Sequence, residues 1–146
     1  TQALGQLCTH LQGTDFTLCL ENVPGTPEVE QLLSIISAVD SQRLGICLDT
    51  GHLNMAGGDQ GHFLRQAGDR LKAMHLADNE GKTDQHMMPY GRGSVDWSAV
   101  MGGLKDLGYE GLLNLEIPGE SKAPEPVLLA KLDYLQVLMR YLVEEA

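Results

Sequence analysis

Four short apolar runs alternate with amphipathic segments along the 146 residues, and this alternation is the strongest constraint on the fold. The runs span residues 16–22, 44–50, 71–78 and 111–118, and each has the length and apolar bias of a buried strand. Residues 27–41, 61–70, 96–108 and 125–145 carry apolar side chains at helical spacing. Strands that alternate with helices predict right-handed βαβ units. We therefore expect a single α/β domain over residues 1–146, built on a parallel sheet.

A side chain able to bind metal stands at the end of each predicted strand. Because the carboxyl ends of parallel strands meet at one side of a sheet, where active sites lie, we expect these side chains to converge. Residues two apart share a face of a strand, so all of them point away from the large apolar residues. The set consists of Glu21, Asp49, His75 and Glu116. Three carboxylates held together repel one another unless a cation joins them. The pattern predicts a divalent-metal site suited to Mn²⁺, Mg²⁺, Zn²⁺, Co²⁺ or Fe²⁺.

Polar residues beyond the strand ends extend this candidate site. His52 follows Asp49 by three positions, and Asp84 and His86 lie in the long irregular segment 79–95. Long loops inside compact domains are often functional, so these residues are predicted to contact substrate or to bind additional metal. Arg92, between two glycines of the same segment, could reach an anionic or hydroxylated substrate. Alternatively, each of these four residues is a turn residue or a solvated loop residue without a role in the site.

Charge and cysteine content narrow the function classes. The net charge of −10 disfavours nucleic acid and anionic membranes as main partners. The sequence contains no run of about 18 apolar residues that would predict a transmembrane helix. Three cysteines, none close to another in sequence, favour reduced thiols over a disulfide framework. We therefore expect a cytoplasmic protein.

Four segments resemble the xylose-isomerase-like TIM-barrel superfamily of sugar isomerases and epimerases, which also includes endonuclease-IV-like nucleases. They are LENVPG (20–25), ICLDTGHLNMAG (46–57), MHLADNEG with DQHMMPYGRGSVDW (74–97) and LNLEIPG (113–119). The resemblance implies a (β/α)8 barrel. Since a complete barrel needs about 250 residues, this chain corresponds to its C-terminal half. The open edges of a four-stranded half barrel predict a homodimer that completes the barrel.

The resemblance also implies a reaction. Glu21 and Glu116 would transfer a carbon-bound proton of a sugar or sugar phosphate through an enediolate, beside one divalent metal held by the four strand-end residues. His52 would contact substrate, or would bind additional metal together with Asp84 and His86, as in the nucleases. Two alternatives stay open: an endonuclease-IV-like metal phosphodiesterase, and a truncated barrel fragment that folds without turnover.

Overall fold

The four apolar runs form one parallel sheet in the structure, a computed structural model that describes residues 1–25, 28–119 and 122–144. Neighbouring strands follow each other in chain order, and every pair is parallel. The strands are β1 (Leu18–Glu21), β2 (Leu44–Asp49), β3 (Leu71–Leu76) and β4 (Asn114–Leu115). The predicted fold class, four parallel strands alternating with helices, is therefore confirmed.

One helix precedes β1, and the others lie between and after the strands, where the periodicity predicts helical segments. They are α1 (Gln2–His10), α2 (Val29–Val39), α3 (Thr50–Met55), α4 (Gln60–Ala67), α5 (Trp97–Leu107) and α6 (Glu125–Glu144). The segment 61–70 is divided between α4 and a 3₁₀ turn, Gly68–Arg70. Helix α3 has only six residues and was not predicted. The predicted helix start at Pro27 and end at Glu145 lie outside the described residues. None of the described helices has the length and apolar character needed to cross a membrane.

Large apolar side chains of the strands pack beneath the helices, on the face opposite the candidate ligands. In β2 and β3 they are fully buried, and in β1 and around β4 they pack partly buried against the same core. The first group comprises Ile46, Leu48, Met74 and Leu76, and the second Leu18, Leu20, Leu113 and Leu115. On the other face, the side chains of Glu21 and His75 are 34% and 31% exposed. The predicted division into a packed face and a polar face therefore holds.

Strand β4 is shorter than the predicted run 111–118. Leu112, ahead of the strand, is 86% exposed. The Tyr109 hydroxyl bonds to the Leu112 carbonyl at 3.3 Å, and a Cβ at Gly111 would overlap the Tyr109 ring. Beyond the strand, the Glu116 amide still donates to the Leu76 carbonyl at 3.0 Å. The backbone bond to β3 thus reaches Glu116, although Glu116 lies outside β4 itself.

Two adjacent glycines of α5 are expected to respond in opposite ways to alanine. A Cβ at Gly103 would lie 2.7 Å from Cδ1 and 3.3 Å from Cβ of the buried Leu64 in α4, whereas one at Gly102 meets nothing within 4 Å. Gly103→Ala should lower the free energy of unfolding by about 1–3 kcal/mol through overpacking. Gly102→Ala should raise it by about 0.5–1 kcal/mol, because alanine favours a helix interior. Urea denaturation measures both, and equal effects would contradict this close approach of α4 and α5.

Candidate metal centre

Asn22 fixes the end of β1 against the end of β2. Its side-chain amide donates to the Asp49 carbonyl at 2.9 Å, and its side-chain oxygen accepts from the Asp49 amide at 2.8 Å. Asn22 is 2% exposed and Asp49 is fully buried. The Asp49 side chain also caps α3, since Oδ1 accepts from the His52 amide at 2.7 Å. These bonds hold the Asp49 carboxylate in one orientation and leave its other oxygen, Oδ2, without a hydrogen-bond partner among residues 1–25, 28–119 and 122–144.

The four strand-end residues meet at one point, as their positions predict. Ligand atoms of all four lie within 4.8 Å of one another. His75 is central, with Nδ1 2.9 Å from Glu116 Oε2 and 3.5 Å from Glu21 Oε2. Strand pairing sets this arrangement, because Asp49 stands opposite His75 in the β2–β3 ladder. The structure therefore brings together Glu21, Asp49, His75 and Glu116.

The donor atoms of this cluster suit a cation. Asp49 Oδ2, His75 Nδ1 and Glu116 Oε2 are buried and make no hydrogen bond of good geometry among the described residues, although the last two atoms lie 2.9 Å apart. Burial raises the pKa of Asp49, and the charges of Glu21 and Glu116 raise it further, against the opposing effects of His52. Buried acceptors without donors are unfavourable, and a divalent ion would satisfy all of them at once. The residues present thus fit the predicted metal.

A second cluster forms where the loop after β3 meets α3. Asp84 Oδ2 lies 3.3 Å from His52 Nε2 and 3.1 Å from His86 Nε2. Ligand atoms of the three residues lie within 4.8 Å of one another. His86 has a φ of 47°, in the left-handed region that only a few per cent of non-glycine residues adopt. Such backbone strain persists where surrounding contacts hold a side chain in a defined place.

Main-chain carbonyls determine which nitrogen of each imidazole faces Asp84. His52 Nδ1 lies 2.9 Å from the Asn22 carbonyl, and His86 Nδ1 lies 2.7 Å from the Glu116 carbonyl. A carbonyl only accepts, so each Nδ1 donates its proton and each Nε2 faces the same carboxylate oxygen. Burial lowers the pKa of both histidines, but hydrogen bonds and the charges of Asp84 and neighbouring carboxylates outweigh it and raise the pKa. Carbonyl–histidine pairs of this kind orient imidazoles that bind metals.

Arg92 is the predicted site residue that the structure does not bring into either cluster. Its side chain is 75% exposed, and its guanidinium lies 3.6 Å from the Glu80 carboxylate. Its predicted contact with substrate stays a prediction.

Several residues with clear roles at the site were not among the predicted ones. Asn22 joins two strand ends, and Cys47 Sγ forms a donor group with Glu21 and His75 within 4.8 Å. Asp78 and Asn79, both buried, hold the loop after β3. The available sequence signal was a polar residue directly after an apolar run, which Asn22 and Asp78 both provide.

Comparisons with known proteins show which family and which solved folds this chain resembles. A family model described as a xylose isomerase-like TIM barrel matches residues 1–138. An uncharacterised protein of Methanocaldococcus jannaschii is 32% identical over 133 residues, which cover 86% of this chain and 45% of that protein. A D-psicose 3-epimerase of Enterocloster bolteae is 30% identical over 87 residues, covering 60% of this chain and 27% of the enzyme.

A solved structure shows the same fold. The structure of an L-ribulose 3-epimerase superposes with a TM-score of 0.79 at 21% identity, covering 98% of this chain and 52% of that one. At this identity the likeness concerns the fold alone. The chain thus spans about half the length, or less, of the proteins that it matches.

Proposed function

We propose that this chain, which belongs to the xylose isomerase-like TIM-barrel family, carries the metal site and the acid–base pair of a sugar isomerase or epimerase. The observation that carries the proposal is the convergence of four ligand residues within 4.8 Å. Within the part of the chain that the structure describes, three of them have a buried oxygen or nitrogen atom without a hydrogen-bond partner. A D-psicose 3-epimerase among the relatives supports a sugar or sugar phosphate as substrate.

One divalent ion would be held by the strand-end carboxylates and the imidazole. Two glutamates, one aspartate and one histidine suit Mn²⁺, Zn²⁺, Co²⁺, Mg²⁺ or Fe²⁺. The ligands would be Glu21, Asp49, His75 and Glu116. When bound, such an ion polarises a carbonyl and offsets the negative charge that develops when a neighbouring carbon loses its proton.

The two glutamates would perform the proton transfers. They come from the two edges of the sheet, since Glu21 ends β1 and Glu116 follows β4. His75 lies between them, 3.5 Å from the Glu21 carboxylate and 2.9 Å from the Glu116 carboxylate. One glutamate would remove a carbon-bound proton, and the other would return it on the opposite face or at the neighbouring carbon. His52 would orient a substrate hydroxyl.

Metal analysis combined with solvent-isotope exchange tests this function. We expect about one divalent ion per chain at the strand-end cluster after purification without chelator. The loaded protein, incubated with D-psicose, D-fructose or L-ribulose in D₂O, should introduce deuterium at a carbon next to the carbonyl, which NMR detects. Metal uptake without exchange on any of these sugars would favour a fragment without turnover. No uptake even with added Mn²⁺, Co²⁺ or Zn²⁺ would contradict the proposed site.

A metal phosphodiesterase is the second candidate, and the loop cluster favours it. In this candidate function, a second ion would be held by the Nε2 atoms of His52 and His86 and by the Asp84 carboxylate. A second ion favours this candidate, because phosphate ester cleavage commonly uses two metals. The net charge of −10 speaks against it, because it opposes binding to nucleic acid. Cleavage of duplex DNA that contains an abasic site, together with salt-dependent binding, would favour this candidate over the sugar enzyme.

For the chain as a separate polypeptide, we propose a homodimer that completes the barrel. Strands β1 and β4 are the two edges of the sheet. Exposed apolar residues precede both edges, with Phe16 72% and Leu112 86% exposed. A twofold axis would pair β1 of each copy with β4 of the other and give eight strands. Light scattering at micromolar concentration should give twice the chain mass of 15.9 kDa, and a monomer would contradict the dimer.

Free cysteines support the cytoplasm as the proposed location. Cys8, Cys19 and Cys47 form no disulfide. Burial raises the pKa of Cys19, and burial with the neighbouring negative charges raises the pKa of Cys47 to about 12. Cys8 and Cys47 are buried and Cys19 is half-buried. Thiols whose pKa is raised are less reactive, and free thiols persist in a reducing compartment.

A further inference from the structure

The buried carboxylate of Asp78 accepts hydrogen bonds from three N–H groups. It is 2% exposed. Its Oδ1 accepts from the Asn79 amide at 2.8 Å and from the Val95 amide at 3.0 Å, and its Oδ2 accepts from the Trp97 indole at 2.9 Å. A buried charge is unfavourable unless such donors surround it. These bonds therefore define one position for the groups that Asp78 holds.

Those groups lie at the two ends of the loop 79–95 and at the start of α5. Asn79 begins the loop, Val95 ends it, and Trp97 is the first residue of α5. The main chain of Asp78 exchanges two hydrogen bonds with Met87, of 2.9 and 2.8 Å, in the middle of the loop. A Cβ at Gly93 would overlap the Asp78 carboxylate, so the returning chain passes directly over it.

The middle of the loop carries the residues of the second cluster. His86 directly precedes Met87, and its Nδ1 lies 2.7 Å from the Glu116 carbonyl. Its Nε2 lies 3.1 Å from Asp84 Oδ2, which in turn lies 3.3 Å from His52 Nε2. A displacement of Met87 would therefore move His86 away from both partners.

We propose that Asp78, through its bonds to Trp97 and to both ends of the loop, is the positioning residue that holds Asp84 and His86 against His52. Asp78 belongs to neither ligand cluster among the described residues and acts through the loop. We call the three hydrogen bonds that the Asp78 carboxylate accepts the latch. The loop cluster then binds a divalent cation only while these three hydrogen bonds are formed. This second part rests on the second candidate function, the metal phosphodiesterase, because that candidate assigns the loop cluster a cation.

Asp78→Asn removes one of these hydrogen bonds, the one that the Trp97 indole donates. The asparagine oxygen can still accept from the Asn79 and Val95 amides, but its NH₂ group then faces the Trp97 indole N–H, donor against donor. Trp97→Phe removes the indole donor, so the double variant relieves the conflict. Asp96→Asn is the matched control, because it removes a charge beside Trp97. It also keeps the helix cap, since Asp96 accepts from the Ala99 amide and asparagine caps equally well.

Amide hydrogen exchange by NMR tests the latch without any metal. In Asp78→Asn, the Met87 and Ser94 amides should exchange roughly 10-fold faster or more, while the amides of β2 keep their wild-type rates. Asp96→Asn should behave as wild type, and Asp78→Asn/Trp97→Phe should recover part of the protection. Unchanged loop exchange in Asp78→Asn would overturn the proposal. If amide exchange became faster by the same factor in the loop and in β2, Asp78 would stabilise the whole fold and would not position the loop specifically.

Titration with Zn²⁺ tests the consequence for the cluster. In Asp78→Asn the second ion should bind about 10- to 100-fold more weakly, the loss typical when an outer partner of a ligand is removed. The first ion, at the strand-end cluster, should bind as in wild type. Unchanged affinity for the second ion would overturn this part of the proposal. If the wild-type chain binds only one ion, the loop cluster binds no cation. The hydrogen-exchange experiment would then still test whether Asp78 holds the loop in position.

Discussion

Glu116→Gln is expected to lower the rate of sugar proton exchange about 10²- to 10⁴-fold, the contribution typical of a general acid or base. The Glu116 side chain is 43% exposed beside His75, so its carboxylate can reach a substrate. Glutamine keeps an oxygen for a metal but cannot accept and return a proton. The kcat for deuterium incorporation should therefore fall while metal content stays near that of wild type.

Glu110→Gln provides the matched control for this variant. Glu110 is an exposed glutamate at the opposite end of the same loop-to-strand segment, ahead of β4. It belongs to neither ligand cluster among the described residues. Its replacement should leave kcat unchanged. Full turnover in Glu116→Gln would show that Glu116 takes no part in proton transfer, whereas loss of the metal in that variant would assign it a role in binding alone.

Asp49→Asn is expected to abolish metal binding without unfolding the protein. Oδ1 of Asp49 caps α3, and Oδ2 has no hydrogen-bond partner in the described part of the chain, so an asparagine can keep the cap while removing the charged ligand atom. Without metal, the variant should be at least as stable as wild type, because a buried charge with an unsatisfied oxygen is unfavourable. The raised pKa of Asp49, caused first by burial, points the same way, since its charged form is disfavoured in the fold.

Denaturation with and without metal separates these effects. At an ion concentration 100 times the dissociation constant, wild type should gain about 2.7 kcal/mol of stability, and Asp49→Asn should gain none. Asp59→Asn is the control, because Asp59 caps α4 through the His62 amide at 2.6 Å and lies outside both clusters among the described residues. It should gain as much as wild type. A metal-dependent gain in Asp49→Asn would exclude Asp49 as an essential ligand.

The elements that the sequence predicted best are those with strong local patterns. Strand β2 is apolar, flanked by helical segments and buried at every residue, so its period and length were unambiguous. Strand β4 is only two residues long, and the chain ahead of it instead bonds to the Tyr109 hydroxyl through the Leu112 carbonyl, a contact that no local pattern reveals. Helix α3 escaped prediction because six residues contain too few turns to show a period.

At the site, the strand-end residues were predictable because parallel pairing brings equivalent positions together. Their convergence follows from the register that sets Asp49 opposite His75. Arg92 was a weaker prediction, because a loop position between glycines does not determine where a long side chain points. In the structure it lies against Glu80.

The sequence by itself determined the order of strands and helices, the packed face of the sheet and the four residues at the strand ends. Each depends on a short-range period or on a position next to an apolar run. Only the tertiary structure decided which atoms those side chains leave free. Asn22 meets Asp49 27 positions away and His86 meets Glu116 30 positions away, in both cases through main-chain groups that are identical in every residue. Because such bonds carry no residue-type signature, the orientation of His52, the free oxygen of Asp49 and the latch at Asp78 emerge only when the chain is folded.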